Sequence, residues 1–376
     1  MSALAIPPAP APTSRPRLEI DPSAVAANTR LFARRAGDAA LMAVVKADGF
    51  GHGIVEMARV ALANGARWLG VTSLAEALRL RESGIGAPIL SWLNPVDLDV
   101  HAAVRYRVDV GIPSLQHLAR VTSQRPARPL RIHLHLDTGM ARDGAAPADW
   151  AELFDRARRA ELEGHVEVVA VMGHLPCADQ PGHPSTRTGL RALLAGVALA
   201  ESAGLRPTLR HLAATAATLT DDSTHLDLVR VGAGLVGIDP SGTTRLAQAI
   251  RLSAPVVQVR ALPAGTGIGY GHADVTDTPT NVGLLPVGYA DGLPRTASGV
   301  AEVWVDGRRC RVRGRISMDQ TVVDLGGAPV PPGTTAVVFG PGHDAEPTID
   351  DWARWSGTLP HEIVTGLGTR LERQYL

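Results

Sequence analysis

Lysine is almost absent from this chain: of 37 Lys+Arg residues in 376, only Lys46 is a lysine, and it sits inside the apolar run LMAVVKAD. Arginine keeps its proton under all ordinary conditions, whereas a desolvated lysine amine loses it readily and can attack a carbonyl. A strand-end lysine can also simply snorkel to solvent, but its solitude here favours Schiff-base chemistry. Net charge is lacking too: 37 acidic residues balance the 37 basic ones and the pI is near 7.3. No global field therefore recruits nucleic acid or an acidic membrane, and a small molecule is the expected partner. Cysteine is scarce. Cys177 and Cys310 stand far apart without metal-ligand spacing, which points to a reducing compartment rather than a disulfide framework or a metal site. No apolar run approaches the roughly 18 residues of a membrane helix. The opening MSALAIPPAPAPTSRPR is broken by prolines from residue 7 and lacks the continuous apolar core of a signal peptide. Residues 1–16 read as a disordered tail, and the protein as soluble and cytoplasmic.

Between residues 41 and 237, short β-like runs alternate with helical patterns. Strands are expected at 41–48, 68–73, 88–93, 108–112, 131–137, 168–175, 209–214 and 228–237. Between them lie helices such as SLAEALRLRESG, with Gly84 as a stop. Eight βα units over this length favour an α/β fold with a closed (β/α)8 barrel, spanning 17–247. Beyond it the helical texture fades. Runs such as APVVQVRAL, NVGLLPVGYA and TAVVFG, punctuated by Pro and Gly, predict a mostly-β C-terminal domain over 248–376. GTGIGYG lies there without a strand-to-helix context, so it is a poor dinucleotide fingerprint.

In such a barrel the chemistry stands at the carboxyl ends of the strands. Lys46 closes the first; Asp137 and the loop to Arg142 follow the fifth; His174 ends the sixth; Thr215 follows the seventh; Arg230 lies in the eighth. Loops after the seventh and eighth strands commonly cradle phosphate, and Thr215, Gly232, Ala233 and Gly234 suit that role. An amine, a phosphate cradle and one pocket together imply pyridoxal phosphate.

The segments AVVKADGFGHG, HLDTGMARDG, MGHLP, RVGAGLVG, GIGYGH, PVGYADGLPR and GRISMDQ, in that order, closely resemble the signature segments of alanine racemases. The resemblance spans nearly the whole chain. It implies a pyridoxal-phosphate enzyme that interconverts L- and D-alanine in a head-to-tail homodimer with shared active sites. Lys46 would hold the cofactor as a Schiff base and act as one base. Tyr270, reaching in from the other subunit, would be the second. Inverting a chiral carbon needs proton removal on one face and return on the other, which two opposed groups can do. The resemblance places Arg230 against the ring nitrogen, where other such enzymes use a carboxylate, with His174 orienting it. Arg142 would contact the cofactor phenolic oxygen and the substrate carboxylate, and Met318 and Asp319 would border the substrate from the partner.

The departures are specific. Phe50 and His361 replace two tyrosines that bind the phosphate in many relatives, and His361 is the candidate donor in that place. His135 stands where many members carry a carbamylated lysine bracing the substrate arginine. Ala214 replaces an asparagine before the phosphate-binding hydroxyl. These changes leave open a racemase of the same mechanism acting on another amino acid in a specialised metabolite pathway. A decarboxylase of related fold is disfavoured by Tyr270 and GRISMDQ, and a non-catalytic cofactor-binding protein by the second domain.

Overall fold

The computed structural model describes residues 15–376, so all but Arg15 and Pro16 of the expected tail lies outside the described residues. Two compact units are found: Pro22–Gln248, and a second made of described residues up to Asp21 with Ala249–Leu376. Residues 17–20, which the sequence reading groups with the barrel domain without assigning them a strand, form β1 (Arg17–Ile20). It belongs instead to the second unit, where it runs antiparallel to β10 (Ile250–Pro255) and parallel to β19 (Glu372–Tyr375). Its alternation decides this, because Leu18 and Ile20 are buried there while Arg17 and Glu19 are only partly covered.

The first unit is the expected barrel. Strands β2 (Ala40–Val44), β3 (Trp68–Val71), β4 (Ile89–Ser91), β5 (Val108–Ile112), β6 (Leu130–His135), β7 (Val166–Met172), β8 (Leu209–His211) and β9 (Leu228–Val231) pair in parallel, each with its sequence neighbour, and β2 also pairs with β9. Closure between β8 and β9 comes from a parallel bridge of Ala214 with Arg230, in which the Arg230 amide donates to the Ala213 carbonyl at 3.0 Å. Helices such as Pro22–Arg35, Trp150–Leu162 and Pro184–Ser202 bury one face each against it. The strands stop earlier than the sequence pattern suggests. β2 ends at Val44, two residues before Lys46, because Ala47, Asp48, Gly49 and Phe50 all take left-handed backbone angles.

The second unit is built on a nine-stranded sheet in the order β11-β14-β17-β16-β15-β18-β10-β1-β19, antiparallel except for the β1–β19 pair. Its remaining members are β11 (Gln258–Leu262), β14 (Thr280–Leu285), β15 (Glu302–Val305), β16 (Arg308–Arg313), β17 (Thr321–Gly326) and β18 (Thr335–Phe339). The hairpin of β12 (Gly267–Ile268) with β13 (Asp274–Val275) carries the GIGYGH segment, which leaves no strand-to-helix turn for a dinucleotide. Both cysteines are free thiols. Among the described residues no helix is long and apolar enough to cross a membrane, and no cluster of His, Cys, Asp and Glu is arranged for a metal ion.

Candidate active site

The barrel unit brings together Lys46, Arg142, His174, Thr215, Arg230, Gly232 and Ala233, whereas Tyr270, Met318, Asp319 and His361 belong to the β unit. Lys46 opens a tight left-handed turn. For L-residues this conformation costs about 1–2 kcal/mol each, so three non-glycine residues in it (Ala47, Asp48 and Phe50) require outside support. Glu76 supplies part of it. One carboxylate oxygen accepts from the Ala47 amide at 2.8 Å, and the other accepts from the amides of Thr72 and Ser73 and the Thr72 hydroxyl. Asp48 adds the rest, accepting from the Ile54 amide and from Arg79. The sequence pattern marks Glu76 only as a helix-start residue, the third position of a capping box with Ser73; its second task, bracing the lysine turn, is tertiary.

Burial, followed by the neighbouring Arg142 charge, pulls the Lys46 amine below its ordinary pKa, and Glu76 pulls the other way. The same positive cluster acts on His174, two residues past β7. Burial and then Arg230, Arg142, His135 and Lys46 push its imidazole down to about 3, so it is neutral.

Arg230 is 6 % exposed. It donates to Nδ1 of His211 at 2.8 Å, to the carbonyls of Gly173 at 2.7 Å and Leu212 at 3.2 Å, and to Nδ1 of His174 at 3.2 Å. Burial lowers it to about 10, which still leaves a guanidinium cation at neutral pH. The expected partnership of His174 with Arg230 is present in the geometry. His211, a second imidazole on the same guanidinium, was not anticipated; the HLAA segment that carries it reads as an ordinary strand end.

The turn after β9 forms a close cradle. The amides of Gly232 and Gly234 converge on Thr215 Oγ1 at 3.4 and 3.2 Å. A Cβ on Gly232 would stand 2.7 Å from the Phe50 ring, and one on Gly234 would stand 2.3 Å from Phe32. Glycine is required at both for steric reasons alone. Phe50 therefore caps this turn with carbon where a hydroxyl would stand in a tyrosine. Ala214 precedes Thr215 without a side-chain cap.

Arg142 follows a loop held by Asp137, whose carboxylate accepts from the amides of Gly139, Met140 and Ala141. Beside it, His135 Nδ1 approaches Asp143 at 3.4 Å. That close imidazole is the largest cause holding the Asp143 carboxyl below its usual range, with the Arg142 charge acting in the same direction. An imidazole–carboxylate pair thus occupies the surroundings of Arg142.

In the β unit, Tyr270 is 68 % exposed on a turn between two left-handed glycines, Gly269 and Gly271. The Arg315 guanidinium lies along that turn, close to where a Cβ on Gly271 would project. Tyr270 shares one concave surface with Gly269, His272, Ser317, Met318, Asp319 and Gln320. Met318 is itself half exposed. The ISMDQ and GYADG segments interlock there: the Tyr289 and Ala290 amides donate to the carbonyls of Ser317 and Met318, at a separation only Gly288 permits. Asp319 accepts from Arg370 at 2.7 Å, and the same guanidinium meets the buried Asp291 at 3.2 Å. His361 stands half-buried in the short helix Pro360–Thr365.

A parallel barrel with a lysine and a buried arginine at its mouth, joined in one chain to an antiparallel β unit, defines a narrow class of two-domain barrel proteins. The chain belongs to the alanine racemase family: residues 20–240 match the family's "Alanine racemase, N-terminal domain" and residues 249–375 its "Alanine racemase, C-terminal domain". An alanine racemase of Salinispora tropica is 48 % identical over 347 residues, 91 % of this chain and 93 % of that protein. The crystal structure of alanine racemase from D-cycloserine-producing Streptomyces lavendulae superposes with a TM-score of 0.94 at 44 % identity, covering 97 % of both chains. That of Bartonella henselae alanine racemase with covalently bound pyridoxal phosphate superposes with a TM-score of 0.88 at 26 % identity, covering 97 % of this chain and all of that one.

Proposed function

We propose that this protein interconverts L- and D-alanine in the cytoplasm with pyridoxal phosphate bound at Lys46, in a homodimer whose partner lends Tyr270 to each site. The observation that carries this reading is the single lysine of the chain, held at the barrel mouth with its amine pulled toward the neutral form. The residues fit the cofactor. The Gly232–Gly234 turn directs two backbone amides at the Thr215 hydroxyl, and its glycines leave no room for a side chain against Phe50 and Phe32. Arg230 offers a buried donor in place of a carboxylate, and Arg142 stands close enough to bias Lys46.

When bound, pyridoxal phosphate supplies an aldehyde for the amines of Lys46 and the substrate, and a ring that takes up the electron pair left at Cα. Lys46 Nζ serves one face of Cα, accepting the proton in one direction and returning it in the other, because desolvation makes its neutral form accessible. The partner's Tyr270 hydroxyl does the same on the opposite face. Its exposure on a turn between glycines supports that reach. Arg230 would donate a hydrogen bond toward the cofactor's ring nitrogen and keep its proton, since an acid near 10 does not surrender it at neutral pH. Held there, it would not protonate that nitrogen, which would restrain the ring as an electron sink and disfavour transamination. Arg142 holds the substrate carboxylate, its loop fixed by Asp137 and flanked by the His135–Asp143 pair. Met318 and Asp319 of the partner border the substrate, and His361 is offered as a phosphate donor.

Borohydride treatment of the yellow protein followed by peptide mapping tests the assignment: the reduced cofactor is expected on Lys46 alone, and a label elsewhere would refute it. Tyr270→Phe is expected to slow inversion strongly from one enantiomer while cofactor absorbance is retained. Equal loss of cofactor would make Tyr270 a structural residue.

A further inference from the structure

Below Arg230, three buried polar side chains have no place in the proton transfers described above. Asp109 of β5 is 3 % exposed, and His133 of β6 and His211 of β8 are fully enclosed. They form an unbroken line: Arg230 donates to His211 Nδ1 at 2.8 Å, His211 Nε2 meets His133 Nδ1 at 2.9 Å, and His133 Nε2 meets Asp109 Oδ2 at 3.3 Å. Four strands of one barrel supply one member each. The aliphatic filling that dominates such barrel interiors is here interrupted by a polar path.

Donor arithmetic fixes the direction of that path. A guanidinium has no acceptor, so the nitrogen it faces, His211 Nδ1, must be bare. His211 then carries its proton on Nε2 and donates to His133 Nδ1, which must also be bare. His133 in turn carries its proton on Nε2 and donates to the Asp109 carboxylate. Reversing any ring would set two N–H groups against each other or leave one without an acceptor in a dry core.

Arg230 needs such a partner. Its direct acceptors are two neutral imidazoles and two carbonyls, so among the described residues it is a buried cation with no carboxylate in contact. We propose that Asp109, His133 and His211 are positioning residues that tie Arg230 to a remote counter-charge through a one-way hydrogen-bond chain and so hold its guanidinium in place toward the ring nitrogen. The proposal rests on the reading of Arg230 given above. Each bond polarises the next, so the Asp109 charge strengthens every donor along the line. A competing role for Asp109 is to anchor Arg131, which donates to both its oxygens at 3.1 and 3.3 Å and also pairs with Glu167.

Three proteins separate the roles: wild type, Asp109→Asn, which keeps an acceptor but removes the charge, and Arg131→Gln, which removes the anchor. Long-range 1H–15N spectra of histidine-labelled protein stripped of cofactor should show His133 and His211 neutral, both protonated on Nε2. Asp109→Asn should shift the Nε2–H resonances of both rings. In the reconstituted enzyme it should lower kcat roughly tenfold, the order by which a charge-assisted bond exceeds a neutral one, with KM changed less than about twofold. Arg131→Gln should leave both readouts at wild type. A proton on Nδ1 of either ring, an Asn variant with wild-type spectra and kcat, or a Gln variant that reproduces the Asn changes would each overturn the proposal. If Asp109→Asn does not fold, the wild-type tautomers still decide it. If wild type racemises no alanine, the reading of the reaction fails while the spectra continue to test the chain.

Discussion

Acid should begin to destabilise the barrel unit near pH 6, above the range in which carboxylates titrate. His133, His211 and His174 are all held neutral by burial, with His133 and His211 moved down from the ordinary histidine value and His174 moved down to about 3. In the unfolded chain each regains a pKa near 6.5. The sign follows from these shifts. Below pH 6.5 the unfolded state binds protons that the folded state refuses, so stability is fully present above that pH and falls as the pH drops toward the folded values. His174 contributes a slope approaching about 1.4 kcal/mol per pH unit between these limits, and His133 and His211 act in the same direction. Integrated from pH 6.5 to 4.5, the His174 contribution is roughly 2 kcal/mol, a sizeable fraction of a domain's 5–15 kcal/mol, and His133 and His211 add to it in the same direction. Urea unfolding followed by tryptophan fluorescence at half-unit intervals of pH, on protein stripped of cofactor, measures this slope directly. A steep loss beginning near pH 6 is expected, before the carboxylates titrate. A flat profile between pH 6.5 and 5 would show that these imidazoles are solvated or already charged in the folded protein, and the donor arithmetic around Arg230 would fall with it.

Two substitutions probe the lysine turn and the cradle. Phe50→Tyr places a hydroxyl on the ring that lies over Gly232. One added neutral hydrogen bond is worth about 0.5–1.5 kcal/mol, so cofactor affinity should rise roughly two- to tenfold by equilibrium dialysis; weaker binding would mean that the ring edge points away from the phosphate position. Glu76→Gln leaves a single acceptor for the donors now shared by two oxygens. It should cost about 1–2 kcal/mol and lower the melting temperature by several degrees. Because Glu76 is the group that raises Lys46, its removal should also move the amine further down, seen as a shift of the alkaline limb of Lys46 modification to lower pH. An unchanged melting temperature would show that the left-handed turn does not depend on this carboxylate.

Local chemistry was enough to announce much of this protein. The period-2 and period-3.6 patterns repeat eight times between residues 41 and 237 and close into β2–β9, since a βα unit states its own geometry within about thirty residues. The solitary Lys46 and the glycines at 232 and 234 were equally legible, because each is a residue type with few substitutes at its position. Tertiary structure decided the rest. Residues 17–20 carry an alternating pattern that any sheet could satisfy, and only the pairing partners β10 and β19 determine which one does. No periodicity reports that five consecutive residues, 47–51, turn left-handed, because that strain is sustained by Glu76 and Asp48, whose partners lie elsewhere in the chain. The line from Asp109 to Arg230 spans over a hundred residues of sequence and exists only because a closed barrel points one side chain from each of four strands at a common interior.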